Sequence, residues 1–219
     1  MAKIEVRNLT KTIHNNTVLE DINLCMKSGR VYGFQGINGS GKTMLMRALI
    51  GLIRPTRGQV IIDGKVLGKE IDFPESIGFL LENPTFLDQY SGADNLMLLA
   101  GLEEGKGTKP VEIEEISKLL EEVGLSAAGN KKYKKYSLGM KQRLGIAAAV
   151  MGDPEIVILD EPTNALDDAG KEMVKSIVIK QKQRGALVII SCHDLQALEE
   201  LSDEILRLEN GRIVETRDI

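Results

Sequence analysis

Hydrophobic and polar residues alternate in two segments near the N-terminus of the chain, "KIEVRNL" and "VLEDINLCM". Alternation with a period of two places the apolar side chains on one face of a strand, so the pattern predicts two strands of an antiparallel β layer. Asp63-Gly64 and Asn210-Gly211 are dipeptides of the kind that closes tight hairpins. We therefore expect further strand pairs around these two turns.

Three continuous apolar runs show a different pattern. They are "VYGFQG" from Val31, "EIVILD" from Glu155 and "ALVIIS" from Ala186. A run without alternation is typical of a strand that is buried on both faces, as in a parallel sheet covered by helices. A helical pattern follows each run, and the chain is therefore predicted to be an α/β protein.

The middle of the chain, residues 83–152, contains helical rather than strand patterns. The helical segments are "ADNLMLLAGL", "PVEIEEISKLLEEVG" and "LGMKQRLGIAAAVMG", and "GLEEGKGTKP" is predicted to be an exposed loop between helices. We interpret residues 1–219 as one domain. Residues 1–82 and 153–219 would form its core, and residues 83–152 would form an inserted α-helical subdomain.

Composition narrows the possible partners and compartments. The 219 residues are 42% hydrophobic and include 32 acidic and 28 basic residues, for a net charge of −4. That balance argues against nucleic acid as a partner. Apolar runs are shorter than the roughly 18 residues of a membrane span, and the N-terminus has no signal-peptide pattern. Cys25 and Cys192 have no C-x-x-C spacing. We therefore expect a cytoplasmic chain with free thiols that meets a membrane only through a partner.

The segment "GINGSGKT", from Gly36 to Thr43, matches the pattern G-x-x-x-x-G-K-[ST]. It follows a predicted buried strand and opens a helical pattern, which is the arrangement of a P-loop. Its backbone N–H groups would face phosphate oxygens, Lys42 would reach the β and γ phosphates in a binding and catalytic role, and Thr43 would bind Mg²⁺. The expected phosphate-binding residues are Asn38, Gly39, Ser40, Gly41, Lys42 and Thr43. The alternative is a glycine-rich turn without a ligand, but the full match favours ATP or GTP.

Two acidic residues end the second apolar run. Asp160 and Glu161 follow "IVIL" at the carboxyl end of a predicted parallel strand, where ligands bind in open α/β sheets. Asp160 is expected to orient Mg²⁺ through water, and Glu161 to act as general base toward the attacking water. The alternative is that both acids cap the next helix. His193 follows the third run and is predicted to donate to a γ-phosphate, with a structural role as its alternative.

The P-loop, the Asp-Glu strand end and the His resemble, in this order, the nucleotide-binding subunit of ATP-binding cassette (ABC) transporters, over essentially the whole chain. The fold expected is therefore a P-loop NTPase core with a parallel sheet, an N-terminal antiparallel β layer and an inserted α-helical subdomain. The resemblance implies an ATPase that uses ATP and Mg²⁺.

A second helix start, "YSLGMKQ", resembles the family signature that binds the γ-phosphate of ATP held by the other subunit of a head-to-tail dimer. The resemblance implies Ser137 and Gly139 as ligands of the partner's nucleotide. It also matches residues 164–167, which end in Asp167, to the loop that communicates across the dimer. A Ser hydroxyl and free N–H groups at a helix start suit an anion, and Ser137 would cap its own helix in either case.

The chain departs from the common family pattern at several positions. The family signature is Leu-Ser-Gly-Gly-Gln, whereas this chain has Tyr136, Leu138 and Met140 at the first, third and fifth positions. Where the family places Gln at the metal, this chain has Glu82, whose carboxylate can bind Mg²⁺ but cannot donate a hydrogen bond when ionised. Where the family stacks an aromatic side chain on adenine, this chain has Ile13, which keeps an apolar contact.

These variants resemble cassettes of the exporter branch that handles antibiotics, antimicrobial peptides and other small hydrophobic cargo. The resemblance implies a separate membrane permease, contacted through residues 83–95, and a second ATP-binding subunit that is identical or related. Two alternatives stay open: a soluble ABC-type ATPase of assembly, translation or DNA maintenance, and a P-loop kinase. A single P-loop and the lack of heptads argue against the soluble ATPase. The Ser-x-Gly and Asp-Glu motifs argue against the kinase, because a kinase would not explain them.

Overall fold

A computed structural model describes residues 2–82, 84–103, 111–192 and 194–219. The strands, in chain order, are β1 (Lys3–Ile13), β2 (Asn16–Lys27), β3 (Val31–Gln35), β4 (Arg57–Ile62), β5 (Lys65–Val66), β6 (Ile77–Leu80), β7 (Ile156–Leu159), β8 (Leu187–Ser191), β9 (Glu204–Glu209) and β10 (Arg212–Asp218). The α-helices are α1 (Lys42–Leu49), α2 (Gly92–Glu103), α3 (Ile113–Glu122), α4 (Leu138–Val150), α5 (Asp168–Gln183) and α6 (Leu195–Leu201). Single turns of 3-10 helix cover Ser126–Ala128 and Tyr133–Lys135.

The N-terminal strands form a sheet of their own, in the order β2-β1-β4-β5. Its paired strands are antiparallel, and along β1 the alternating residues Ile4 and Val6 are buried while Glu5 is less so. The turn between β4 and β5 has positive φ at both Asp63 and Gly64, 51° and 82°. The predicted antiparallel layer and its Asp-Gly hairpin are confirmed.

A second sheet has the order β10-β9-β3-β8-β7-β6. β3, β6, β7, β8 and β9 run parallel, and β10 returns antiparallel to β9 through the predicted Asn210-Gly211 turn. The three apolar runs form β3, β7 and β8, and nearly all of their residues are buried. The carboxyl ends of these three neighbouring strands therefore meet at one edge of the sheet.

β6, which pairs with β7 at the end of the sheet, was not predicted from the sequence. It has only four residues, and Phe79 is exposed. A short edge strand that is covered on one side lacks both the alternation of a long strand and the continuous run of a buried one. Its pattern therefore carries little signal.

The predicted helices of the middle segment are present as α2, α3 and α4. Residues 101–103 of the glycine-rich stretch continue α2 instead of forming a loop, which corrects the prediction there, and the rest of that stretch, residues 104–110, lies outside the described residues. Side chains of these helices share one apolar cluster with a face of the parallel sheet; examples are Leu96, Ile116 and Leu144 on the helices and Val157 on β7. The proposed boundaries at residues 83 and 152 stay a prediction.

Within the described part of the chain, no helix has the length and apolar character needed to cross a bilayer.

At Gly78 the parallel sheet and a helix of the middle segment approach each other closely. A Cβ on Gly78 would lie 1.8 Å from the carbonyl oxygen of Ala149 near the end of α4. Only a glycine on β6 allows that approach, so the strand and the helix backbone are in direct contact there.

Gly78→Ala should therefore destabilise the protein by about 1–3 kcal/mol, because the added methyl group forces β6 and α4 apart. For a chain of this size the melting temperature should fall by about 2–4 °C per kcal/mol. Gly101→Ala is the matched control. Within the described residues a Cβ at Gly101 meets nothing within 4 Å, so alanine should stabilise α2 slightly. Equal melting temperatures for both variants would contradict the close approach of β6 to α4.

Candidate active site

The P-loop joins the end of β3 to the start of α1. Gly41 is the N-cap residue of α1 and has φ of 108°, a left-handed conformation that favours glycine. A Cβ on Gly36 would lie 2.4 Å from the Ser40 hydroxyl oxygen, so the loop closes tightly on itself. These two positions explain why glycines are needed, and the curled backbone directs its N–H groups toward one concave face.

Lys42 is almost fully buried beneath this loop, with 6% of its surface exposed. Its Nζ donates to the carbonyl oxygen of Gly36 at 2.7 Å and lies 4.0 Å from Oε1 of Glu161. The ammonium group therefore spans the P-loop and approaches the end of β7. A positive charge at a helix N-terminus, with few other groups around it, suits the phosphates of a nucleotide.

Thr43 and Asp160 meet at the same edge. The Thr43 hydroxyl donates to Oδ2 of Asp160 at 2.5 Å, and the Ser191 hydroxyl donates to the other carboxylate oxygen. Asp160 is buried and follows β7 directly, while Ser191 ends β8. A hydroxyl and a carboxylate in contact are hard oxygen donors, which fits Mg²⁺ and would suit few softer metals.

Glu161 has an unusual backbone conformation, with φ of 49°. Its N–H donates to the Ser191 hydroxyl oxygen at 2.8 Å, so the second residue after β7 is hydrogen-bonded to the last residue of β8. Its side chain is mostly buried and lines the cavity over the P-loop. A carboxylate therefore lines the cavity near the Lys42 ammonium group, and its role as general base stays a prediction.

A cavity of about 480 Å³ lies over the P-loop. It brings together eight of the predicted site residues, which are Asn38, Gly39, Ser40, Gly41, Lys42, Thr43, Asp160 and Glu161. Residues 16–18 and 210–211 also line it. The strand ends and the P-loop thus form one concave site, as their order in the sequence predicted.

The contribution of residues 16–18 and 210–211 to the cavity was not predicted from the sequence. Gly211 donates its N–H to the carbonyl of Ser40 at 2.9 Å and accepts from the N–H of Glu20 at 2.8 Å. The hairpin turn between β9 and β10 therefore supports the P-loop from the C-terminal end of the chain. The sequence identified this turn as a hairpin, but no local pattern indicates which distant loop a hairpin will contact.

Two residues assigned from family positions lie outside the cavity lining of the described chain. Ile13 ends β1, and Val18 of β2 lines the cavity instead. Glu82 accepts a hydrogen bond from Nη2 of Arg47 at 2.6 Å, and its side chain is exposed. The base contact of Ile13 and the metal contact of Glu82 stay predictions.

The second helix start is also separate from this cavity. Ser137 is the N-cap of α4, and its hydroxyl oxygen accepts from the N–H of Met140 at 3.3 Å, as expected for a cap. Burial raises the pKa of the neighbouring Tyr136 phenol, whose hydroxyl donates to the carbonyl of Ala128 at 2.8 Å. Tyr136 thus anchors the segment in the core while Ser137 and Leu138 are exposed.

Asp167 is the N-cap of α5, and its Oδ1 accepts from the N–H of Gly170 at 3.0 Å. The same oxygen accepts from Nη2 of Arg143 on α4, also at 3.0 Å. Asp167 therefore joins the two helices, and its nucleotide contact stays a prediction. His193, the last of the predicted catalytic residues, lies outside the described residues.

Comparison with known proteins assigns the family. Residues 19–164 match the family model described as "ABC transporter". This is more than half of the chain, which therefore belongs to the ABC transporter family. Within that family it is an ATP-binding subunit, and its activity is that of an ATPase. The resemblance predicted from the motifs is confirmed.

Individual relatives agree with this assignment. The chain is 44% identical over 210 residues to the ABC transporter ATP-binding protein YybJ of Bacillus subtilis (strain 168), covering 96% of this chain and 94% of YybJ. It is 41% identical over 218 residues to the bacitracin transport ATP-binding protein BcrA of Enterococcus faecalis, covering 99% of this chain and 69% of BcrA. A solved structure of an ATP-binding subunit of an ABC transporter aligns with a TM-score of 0.88 at 28% identity, covering 99% of this chain and 90% of the other. The predicted fold class is confirmed.

Thr43→Val should weaken ATP binding by about 10- to 100-fold when Mg²⁺ is present. Valine keeps the shape of threonine but lacks the hydroxyl oxygen that is expected to bind the metal. In EDTA the two proteins should bind ATP with equal affinity. Thr43→Ser retains the hydroxyl and serves as the matched control. Isothermal titration with and without Mg²⁺ measures the difference. An equal loss in EDTA would show that Thr43 acts on the fold of the P-loop rather than on the metal.

Proposed function

We propose that this chain is one half of a dimer that closes around two Mg-ATP molecules and drives a separate membrane permease. The observation that carries the proposal is the separation of two anion-binding helix starts in one chain. The P-loop and α1 face the chain's own cavity, whereas Ser137 at the start of α4 is exposed outside it. The N–H of Met140 is bound by the Ser137 hydroxyl, so the N–H groups of Leu138 and Gly139 and the positive end of α4 would be what this surface offers to a ligand on another subunit.

Within the chain's own cavity, the P-loop backbone and Lys42 would hold the phosphates. Thr43 and Asp160 would hold Mg²⁺, with Glu82 as a further oxygen ligand. When bound, that ion offsets the negative charge of the β and γ phosphates. Ile13 would provide the apolar contact to the base, and the position of Val18 in the cavity wall supports an apolar rather than a stacked base site.

Hydrolysis would use Glu161 as the general base. Its carboxylate accepts a proton from the attacking water, the water oxygen bonds to the γ-phosphorus, and the bond from that phosphorus to the β-phosphate oxygen breaks to release ADP. Lys42, 4.0 Å from Oε1 of Glu161, would stabilise the charge on the phosphates at the same edge. His193 would donate a hydrogen bond to the γ-phosphate.

The dimer would complete each site from the other subunit. Ser137 and Gly139 would bind the γ-phosphate of ATP held by the partner, and the loop ending in Asp167 would contact the partner's site. A Cβ on Gly139 would lie 2.9 Å from the carbonyl of Ala165 in that loop, so the two partner-facing segments pack against each other. The partner is a second copy or a related chain.

The permease would be an integral membrane protein that keeps this chain at the inner face of the membrane. Leu87 and Tyr90, with 55% and 47% of their surfaces exposed, lie in the segment before α2 and support it as the docking region. Because BcrA is named for bacitracin transport, we infer an antibiotic, peptide or drug as the exported cargo. Copurification with a membrane protein would separate this function from that of a soluble ABC-type ATPase.

Glu161→Gln should keep ATP affinity and lower the turnover number by about 10²- to 10⁴-fold, because the amide cannot accept the proton of water. The ATP-loaded protein should then accumulate as a dimer. Size-exclusion chromatography with light scattering, with and without Mg-ATP, tests this. Glu155→Gln, at the opposite end of β7, is the control and should turn over normally. Near-normal hydrolysis by Glu161→Gln would remove Glu161 as the base.

Ser137→Arg should leave ATP binding to the monomer within about twofold of wild type, since Ser137 lies outside the chain's own cavity. It should block ATP-dependent dimerisation when combined with Glu161→Gln, because a long side chain then occupies the γ-phosphate position between subunits. Ser126→Arg, at an exposed serine in the same helical segment, is the control. Loss of binding to the monomer would mean that the segment serves its own nucleotide.

A further inference from the structure

One face of α4 contacts the segment that contains the general base. Gly139, Gln142 and Arg143 are spaced i, i+3 and i+4 and therefore lie on the same side of the helix. Each of them touches residues 161–167: Gly139 approaches Ala165, Gln142 binds the backbone at residue 161, and Arg143 binds Asp167. The helix that carries the partner-facing Ser137 is thus fixed to the catalytic segment of its own chain.

Gln142 makes the central contact. Only 5% of its surface is exposed, and Nε2 donates to the carbonyl oxygens of Glu161 and Pro162, each at 3.2 Å. A side-chain amide has two N–H donors, and two carbonyls are the acceptors that would use both. The hydrogen-bond donors of this buried amide are used by the backbone at Glu161 and Pro162. Such directional bonds can fix the position of a peptide in a way that apolar packing cannot.

The backbone at Glu161 needs such support. A φ of 49° is unfavourable for a residue with a Cβ and persists only where the surroundings enforce it. Hydrogen bonds constrain this peptide on both sides. The N–H of Glu161 binds Ser191 at 2.8 Å, and its carbonyl accepts from Gln142 and from the N–H of Asn164 at 3.1 Å.

We propose that Gln142 is a positioning residue for hydrolysis. Its amide holds the Glu161–Pro162 peptide in the conformation that directs the Glu161 carboxylate at the γ-phosphate. Gln142 thereby links α4 to the active site of its own chain. The proposal rests on the proposed role of Glu161 as general base. Ser137 and Gln142 lie on the same helix, α4. A nucleotide that is held by the neighbouring subunit and contacts Ser137 can therefore affect Glu161 through Gln142.

Removing the amide should affect catalysis more than binding. Gln142→Met preserves the length of the side chain but removes the amide donor from both carbonyls, so that of Glu161 keeps only the N–H of Asn164. The peptide can then relax from its left-handed conformation. A displacement of about 1 Å at a catalytic group can cost about 100-fold in rate. The P-loop contacts of Lys42 and Thr43 do not involve Gln142, so the affinity for ATP should remain.

The experiment measures the turnover number, KM and ATP affinity of the full chain and its variants. Gln142→Met should lower the turnover number by about 10- to 100-fold and leave KM and affinity within about twofold. Gln181→Met is the matched control, because Gln181 is a buried glutamine, 2% exposed, whose amide oxygen binds Arg184 away from the site. Its turnover should equal that of wild type. Gln142→Glu, a polar isostere without an N–H, should reproduce the loss if the methionine variant does not fold.

A double-mutant cycle separates positioning from general destabilisation. In the Glu161→Gln background, Gln142→Met should change the residual single-turnover rate by less than about twofold, since the carboxylate that Gln142 positions is already absent. Normal turnover of Gln142→Met and Gln142→Glu would overturn the proposal and leave the proposed function intact. An equal 10- to 100-fold loss in both backgrounds would also overturn it. Near-normal hydrolysis by Glu161→Gln would overturn the base role and the positioning role together.

Discussion

The contact of Asp160 with Thr43 and Ser191 is the interaction on which the rest of the site depends. One buried carboxylate accepts hydrogen bonds from the first turn of α1 and from the end of β8, while its own strand lies between β8 and β6. A buried carboxylate costs several kcal/mol unless such donors satisfy it. The P-loop and the two neighbouring strand ends are therefore held in a fixed relation before any nucleotide binds.

The same edge organises the helical segment. α4 contacts β6 through the glycine at residue 78 and reaches the catalytic segment through Gln142 and Arg143. Apolar side chains of α2, α3 and α4 share a cluster with the parallel sheet, so these helices have no separate core within the described residues. A displacement of α4 is consequently expected to reach Glu161 directly, because packed elements transmit shifts rather than absorb them.

Much of this site was predictable because its parts are local. The P-loop pattern, the acids after β7 and the cap of α4 each occupy a few consecutive residues, and parallel strands bring their carboxyl ends together. Other features were not predictable. Nothing in the residues around Gly211 indicates contact with Ser40, and the partner of Glu82 is Arg47, which lies 35 residues earlier in the chain. Gln142 resembles any polar residue of an amphipathic helix until its two backbone acceptors are known.

The sequence by itself determined the class of the protein, because phosphate binding needs glycines, a lysine and a hydroxyl at short, fixed spacing. It also determined the antiparallel layer and the buried parallel strands, because burial on one or two faces leaves a periodic pattern. Only the tertiary structure decided how α4 contacts Glu161 and which hairpin supports the P-loop. Those contacts join residues far apart in the chain, and their geometry depends on how whole elements pack rather than on any local preference of the residues involved.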